Sequence, residues 1–306
     1  MNKNKKTSSP HQDKATKLIV KEPAELMTFL MEKLSNRGRN AVKAILARGQ
    51  VSVNDHIVTK YNYRLQPEQQ VMIHWGKPVE QVKLFGLKIL HEDDDIIVVQ
   101  KEAGLLSIAS PDEKEMTAYR QLMEHVRGEN PKNRIFVVHR LDRDTSGVMM
   151  FAKNEKTKKL LQDSWKDAVQ QRTYVALVEG TVKKAEGTIT SWLKESKTLM
   201  MYSSQKPNDG QKAVTHYKVL QSNREYSLVE VQLETGRKNQ IRVHMKDIGH
   251  PVVGDKKYGS KNNTLGRLGL HAQVLAFTHP TTGQTLRFES RIPDKFLRPF
   301  QEKNDR

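Results

Sequence analysis

His139-Arg140-Leu141-Asp142-Arg143-Asp144-Thr145-Ser146-Gly147 is the stretch that decides how this chain is read. An apolar run precedes it (Ile135, Phe136, Val137, Val138) and another follows it (Val148, Met149, Met150, Phe151). Two short apolar runs around polar turn residues predict strand, tight charged turn, strand. Asp142 then sits at the end of a packed sheet, among cations. A carboxylate beside arginine keeps its charge, which suits a nucleophile or a base better than a proton donor. The plain alternative is a surface salt-bridge cluster, nearly neutral in energy. On composition alone that alternative is favoured, and the rest of the chain shifts the balance.

Leu87–His91 and Ile96–Gln100 read as strands joined by the acidic turn Glu92-Asp93-Asp94-Asp95. A helix is predicted from Glu155 to about Val169, capped by Asn154, with Leu160, Leu161, Trp165 and Ala168 on one side. Arg172–Glu179 carries apolar residues of both parities, a strand buried on two faces, and Ala213–Leu220 is another strand. Ser227, Val229, Val231 and Leu233 alternate with Glu230, Gln232 and Glu234, a half-exposed strand. The segment Thr235-Gly236-Arg237-Lys238-Asn239-Gln240-Ile241-Arg242-Val243-His244-Met245 reads as a turn entering a helix that Gly249 and Pro251 stop. Arg237 and Arg242 are thereby fixed on a rigid element. An arginine on a core-facing helix is costly unless paired, and Asp142 is the obvious partner for Arg242. Strands and helices interleave irregularly with hairpin-length turns, so the predicted class is α+β.

The 306 residues suffice for about two domains. A net charge of +17 points to polyanions, nucleic acid first and anionic membrane second. No stretch approaches the roughly 18 apolar residues that cross a bilayer, and Met1–Lys17 lacks the apolar core of a secretory signal. The absence of cysteine excludes disulfides and thiolate chemistry and fits a cytoplasmic protein. His139, His244, His250, His271 and His279 lack ligand spacing, so no metal is expected. Neither a phosphate loop with its Gly-Lys-Ser/Thr ending nor a Gly-x-Ser-x-Gly elbow is present.

Residues 1–20 read as a disordered basic tail, 21–76 as a small domain, 77–86 as a linker, 87–300 as the main domain and 301–306 as a tail. Within the small domain, Leu26, Phe29, Leu30 and Leu34 recur at helical spacing. Asn40 is placed to cap a second helix bearing Val42, Ile45 and Leu46, with Gly49 past its end. Arg37, Arg39, Lys43 and Arg48 crowd this helical pair, a pattern suited to phosphate contacts; the plainer reading is a solvated basic face. Ser35 to Lys43 followed by Gly49-Gln50-Val51-Ser52-Val53-Asn54 resembles the RNA-binding domain named after ribosomal small-subunit protein four, the alpha-L motif.

The main domain resembles the pseudouridine synthases of the RluA-type family. Three motifs carry the likeness: the His-Arg-Leu-Asp run with its Thr-Ser-Gly end; Tyr174, Ala176, Val178 and Gly180 in one strand; and Thr235 to His244, which matches Thr-Gly-Arg-x-x-Gln-Ile-Arg-x-His. Leu270-His271-Ala272 and Phe277-Thr278-His279-Pro280 add to it. The resemblance implies an isomerase with no cofactor that converts uridine to pseudouridine in structured RNA, ribosomal or transfer, after extruding the base. It implies that Arg140 fills the vacated space and that Asp142, rather than its neighbour Asp144, acts on the sugar, by addition to the ribose or removal of a sugar proton. Tyr174 would stack on uracil and serve in deprotonating carbon-5, and Arg242 would pair with Asp142. Leu141, Thr145, Arg237 and Gln240 are expected on the substrate side. The departures are Asn239, where the family usually has histidine, and Glu102, where it usually has proline. A monomer is expected. A non-catalytic RNA-binding ribosome-assembly factor would also explain the charge, but not a carboxylate at the centre of a basic surface, which opposes phosphate binding.

Overall fold

Short alternating strands and two amphipathic helices build the first of two units, which divide the chain into residues 1–82 and 83–306. The computed structural model describes residues 15–47, 49–54, 56–75, 84–110 and 116–301. In the first unit, helices Leu26–Lys33 and Arg39–Ala47 bury Leu26, Phe29, Leu30, Val42, Ile45 and Leu46. They share a core with Val51, Val71 and Ile73 of an antiparallel sheet. The sheet runs Ala15–Ile19, Gln70–His74, Val51–Val53, His56–Ile57.

Two expectations for this unit need correction. Residues 15–20, assigned to a disordered tail, supply the edge strand Ala15–Ile19 and the fully buried Val20. Lysines masked the period-two alternation of Thr16, Leu18 and Val20, and Thr16 Oγ1 accepts a 2.7 Å bond from Trp75 Nε1. The second helix begins at Arg39, so Asn40 lies inside it rather than at its cap. Its C-terminal end is as expected: Gly49 takes φ +66°, its N–H reaches Leu46 O, and Gln50 N–H reaches Ile45 O.

The second unit is a long, mostly antiparallel sheet whose order is 201–204, 186–195, 211–222, 226–233, 169–179, 270–278, 146–152, 96–101, 87–92. Short strands Phe136–Val137 and Thr285–Glu289 attach to 146–152 and 270–278. One junction is parallel: Ser146 and Gly147 pair with His271 and Ala272. Gly147 permits this approach. Its φ is +119°, and a Cβ there would lie 2.0 Å from Ala272 O.

The Asn154 cap is present, its Oδ1 accepting from Thr157 N at 2.8 Å. The single helix predicted to Val169 is instead broken at Ser164 into Glu155–Asp163 and Trp165–Ala168, and Leu160 faces solvent. A helix over Ala118–Glu129, capped by Thr117, went unread. The expected linker also ends sooner: Leu84 packs into the second unit's core and Phe85 N bonds Gln121 Oε1.

Candidate active site

The His-Arg-Leu-Asp run forms a loop over 138–145 rather than a tight hairpin, because Phe136–Val137 pairs with Phe151–Ala152 at the far end of its partner strand. The loop is held from several sides. Leu141 is buried in the core; its N–H donates to Ser107 Oγ at 3.1 Å and its carbonyl accepts from that hydroxyl at 2.7 Å. Thr145 is also buried, and its N–H closes a turn on Asp142 O at 3.2 Å. Lys101, fully buried, donates to the carbonyls of Glu102, Leu105 and Arg143 at 2.9, 2.8 and 3.0 Å. A backbone bonded this densely gives Asp142 a fixed origin.

The Asp142 carboxylate is half-buried and accepts two bonds, both on Oδ2: from Asn239 Nδ2 at 2.6 Å and from Arg242 Nη1 at 3.3 Å. Among the described residues no hydrogen bond reaches Oδ1, so one oxygen is anchored and the other presented. Arg242 comes from helix Gln240–Asp247, whose Ile241, Val243 and Met245 are buried. The expected pairing with Asp142 is there, but it is the weaker of two. Asp255, nearly inaccessible, takes Arg242 Nε and Nη2 at 2.7 and 2.8 Å in a bidentate pair. Burial opposes the Arg242 charge, but Asp255, followed by Asp142, outweighs it and holds the guanidinium well above its ordinary range. The Tyr258 ring backs this guanidinium at 4.9 Å.

Tyr174 lies on the 169–179 strand between two core clusters, its backbone flanked by Val231 and Ala272. Burial pushes its hydroxyl up to about 12; Arg172 opposes the shift, and the nearby Asp142 charge adds to it. Such a phenol keeps its proton at neutral pH, which fits a stacking ring better than a proton acceptor.

The other expected site residues separate into two groups. Arg140 is exposed, and its guanidinium makes no hydrogen bond or ion pair among the described residues. Arg237 is exposed but tethered through Nε to Lys212 O at 3.1 Å. Gln240, by contrast, is buried and saturated: Oε1 accepts from Thr235 Oγ1 and Arg237 N, and Nε2 donates to Val214 O and Thr215 Oγ1. The side chains of Leu141, Thr145 and Gln240 are therefore packed into the frame of the site. In the first unit Arg37, Arg39 and Lys43 are exposed, and Arg37 packs over Trp75 at 4.4 Å. Arg48 lies outside the described residues.

Sequence reasoning missed Asp255 as the main partner of Arg242, Tyr258 behind it, and Lys101 beneath the loop. No metal-binding group of three or more His, Cys, Asp or Glu occurs among the described residues. No helix among them is long and apolar enough to cross a membrane.

The exposed Arg140 and the half-buried, guanidinium-paired Asp142 stand on a loop of this mixed sheet, and comparison with known proteins gives the class. Residues 95–247 match the RNA pseudouridylate synthase family. The uncharacterized RNA pseudouridine synthase YlyB of Bacillus subtilis is 38% identical over 273 residues, spanning 87% of this chain and 89% of its own. Ribosomal large subunit pseudouridine synthase D of Vibrio cholerae is 32% identical over 283 residues, spanning 87% of each chain. The human RNA pseudouridylate synthase domain containing 4 structure superposes with a TM-score of 0.56 at 25% identity, over 69% of this chain and 91% of that one. The chain belongs to the RNA pseudouridylate synthase family, whose members are isomerases.

Proposed function

We propose that this enzyme isomerises uridines of structured RNA, ribosomal RNA first, with Asp142 acting on the ribose of an everted nucleotide. The observation that carries the reading is the Asp142 carboxylate, anchored through Oδ2 by Asn239 and Arg242, with Oδ1 free of hydrogen bonds among the described residues. The kinship with an enzyme named for the large ribosomal subunit supports the choice of RNA.

The chemistry balances without a cofactor. The bond between ribose carbon-1 and uracil nitrogen-1 breaks, the base turns, and carbon-5 bonds to carbon-1 in its place. Carbon-5 loses its proton and nitrogen-1 gains one, so no electrons or groups are exchanged. Asp142 starts the sequence by adding to carbon-1 or by taking a sugar proton. Arg140, exposed and without a hydrogen bond or ion pair among the described residues, occupies the space the base leaves. Tyr174 offers its ring as a stacking face to the freed uracil. Residues 21–76 add affinity for phosphates through Arg37, Arg39 and Lys43.

The test is tritium release from RNA labelled at carbon-5 of uridine, without added metal or nucleotide. Asp142→Asn should abolish release while RNA affinity persists. Loss of affinity in parallel with release would make Asp142 a structural residue and end the proposal. Mapping pseudouridines in cellular RNA with and without the gene would identify the target.

A further inference from the structure

Asn239 gives the Asp142 carboxylate the shorter of its two hydrogen bonds. We propose that Asn239, oriented by Tyr258, is a positioning residue that fixes the rotamer of the Asp142 carboxylate. The inference rests on the reading of Asp142 as the acting group.

Three observations carry it. First, Asn239 Nδ2 donates to Asp142 Oδ2 at 2.6 Å, shorter than the 3.3 Å bond from Arg242 to the same oxygen. Second, the amide has one workable orientation. Tyr258 Oη donates to Asn239 Oδ1 at 3.0 Å, so flipping the amide would set its oxygen against the carboxylate and its NH2 against a hydroxyl donor. Tyr258 is itself immobile: it is almost wholly buried and its oxygen accepts from Met201 N at 3.2 Å. Burial also raises its hydroxyl above the ordinary value, so it retains the proton it donates. Third, Asn239 sits at the start of helix Gln240–Asp247 with φ 54° and ψ 20°. Asparagine enters this left-handed region more readily than most side chains. The turn thus aims the amide at Asp142, whereas Gln240, the next residue, points into the protein.

Guanidinium and amide act differently on the carboxylate. Arg242 is committed to Asp255 by two short bonds and reaches Asp142 at the edge of hydrogen-bond range. It supplies charge. Asn239 supplies direction, through a neutral donor that does not titrate near neutrality.

The test is a set of variants in a single-turnover tritium-release assay, with RNA affinity measured separately. Asn239→Gly is the cleanest truncation, because glycine carries no penalty in the left-handed region. It should lower the single-turnover rate roughly 10- to 100-fold through loss of alignment, with affinity near that of the parent. Asn239→His, which keeps a donor, should recover most of the rate. Asn239→Asp, which places a second carboxylate against the first, should be worse than glycine. Tyr258→Phe should slow the parent enzyme but have no further effect in the Asn239→Gly background, since a relay has nothing left to orient; a general structural role would make the two losses add. A parental rate for Asn239→Gly overturns the inference, as does a loss of affinity in step with rate, which would make Asn239 an RNA contact. If Asp142→Asn is inactive while Asn239→Gly is unimpaired, only the positioning role falls. If Asp142→Asn is fully active, the reading beneath it falls too.

Discussion

Replacing Lys101 with methionine tests whether the loop that carries Asp142 needs its buried clasp. Methionine has nearly the same length and volume, so no cavity opens, and only the ammonium and its donors are lost. Bonds from a charged donor contribute about 1.5–3 kcal/mol each, and Lys101 makes three to backbone carbonyls. Against this stands the cost of burying the charge. Burial, with Arg267 adding and Asp144 and Asp142 opposing, lowers the Lys101 pKa to about 8. At ~1.36 kcal/mol per pKa unit, that drop from 10.5 returns roughly 3 kcal/mol when the charge is removed. The bonds win, and Lys101→Met should destabilise the protein by about 1–6 kcal/mol. The effect on turnover follows from position: Arg143, whose carbonyl Lys101 holds, is the residue after Asp142. Loosening that carbonyl should lower the single-turnover rate by roughly 100-fold at temperatures where the variant remains folded, with little change in RNA affinity. Urea denaturation at pH 7 measures the first effect and tritium release the second. A variant of parental stability and parental rate would refute the clasp.

Three further outcomes are expected. Asp255→Ala strands a mostly buried Arg242 without its counter-charge and should cost about 3–5 kcal/mol by denaturant midpoint; parental stability would show that Asp142 alone suffices. Burial lowers His244 and His271 to about 4, His271 with help from Arg267. The folded protein therefore refuses protons that the unfolded chain binds near 6.5. Stability should be full above pH 6.5 and fall between 6.5 and 4, with a slope of up to ~1.4 kcal/mol per pH unit for each group. Urea titrations at pH 7 and pH 5 give the slope, and equal midpoints would contradict it. Replacing Arg37, Arg39 and Lys43 together should lower the dependence of log affinity on log salt by about 2 and leave the single-turnover rate at saturating enzyme intact. An unchanged slope would remove the first unit from RNA recognition.

Much of this was legible in the sequence, for reasons that individual residues make clear. The strands around the 139–147 run were readable because apolar runs bounded by turn residues are a local signal. The Asp142–Arg242 pairing was readable because an arginine on a buried helix face demands a carboxylate. Asp255 was not, because a partnership between helix and following turn has no periodicity, and the obvious carboxylate had already been assigned. Composition misled at Ala15–Ile19, where Lys17 on the exposed face and the polar residues before it hid a strand. At Leu141, Thr145 and Gln240 motif matching gave position but not environment: it marks residues a site needs without showing that their side chains are buried. The break at Ser164 was invisible because the apolar spacing continues across it; only the Ser164 hydroxyl, donating back to Leu160 O at 2.6 Å, marks the change.

The parallel junction of 146–152 with 270–278 has a consequence for biogenesis. Ser146 and His271 are 125 residues apart, so the inner strand of this sheet waits for its neighbour while the ribosome works. At about 5–20 residues per second the delay is roughly 6–25 s. Throughout that interval the Ser146–Gly147 end of one edge, in a strand buried along its whole length in the finished protein, has no partner to pair with. The nascent chain is then a natural client for chaperones, and any slowing of translation between those codons prolongs its exposure to aggregation.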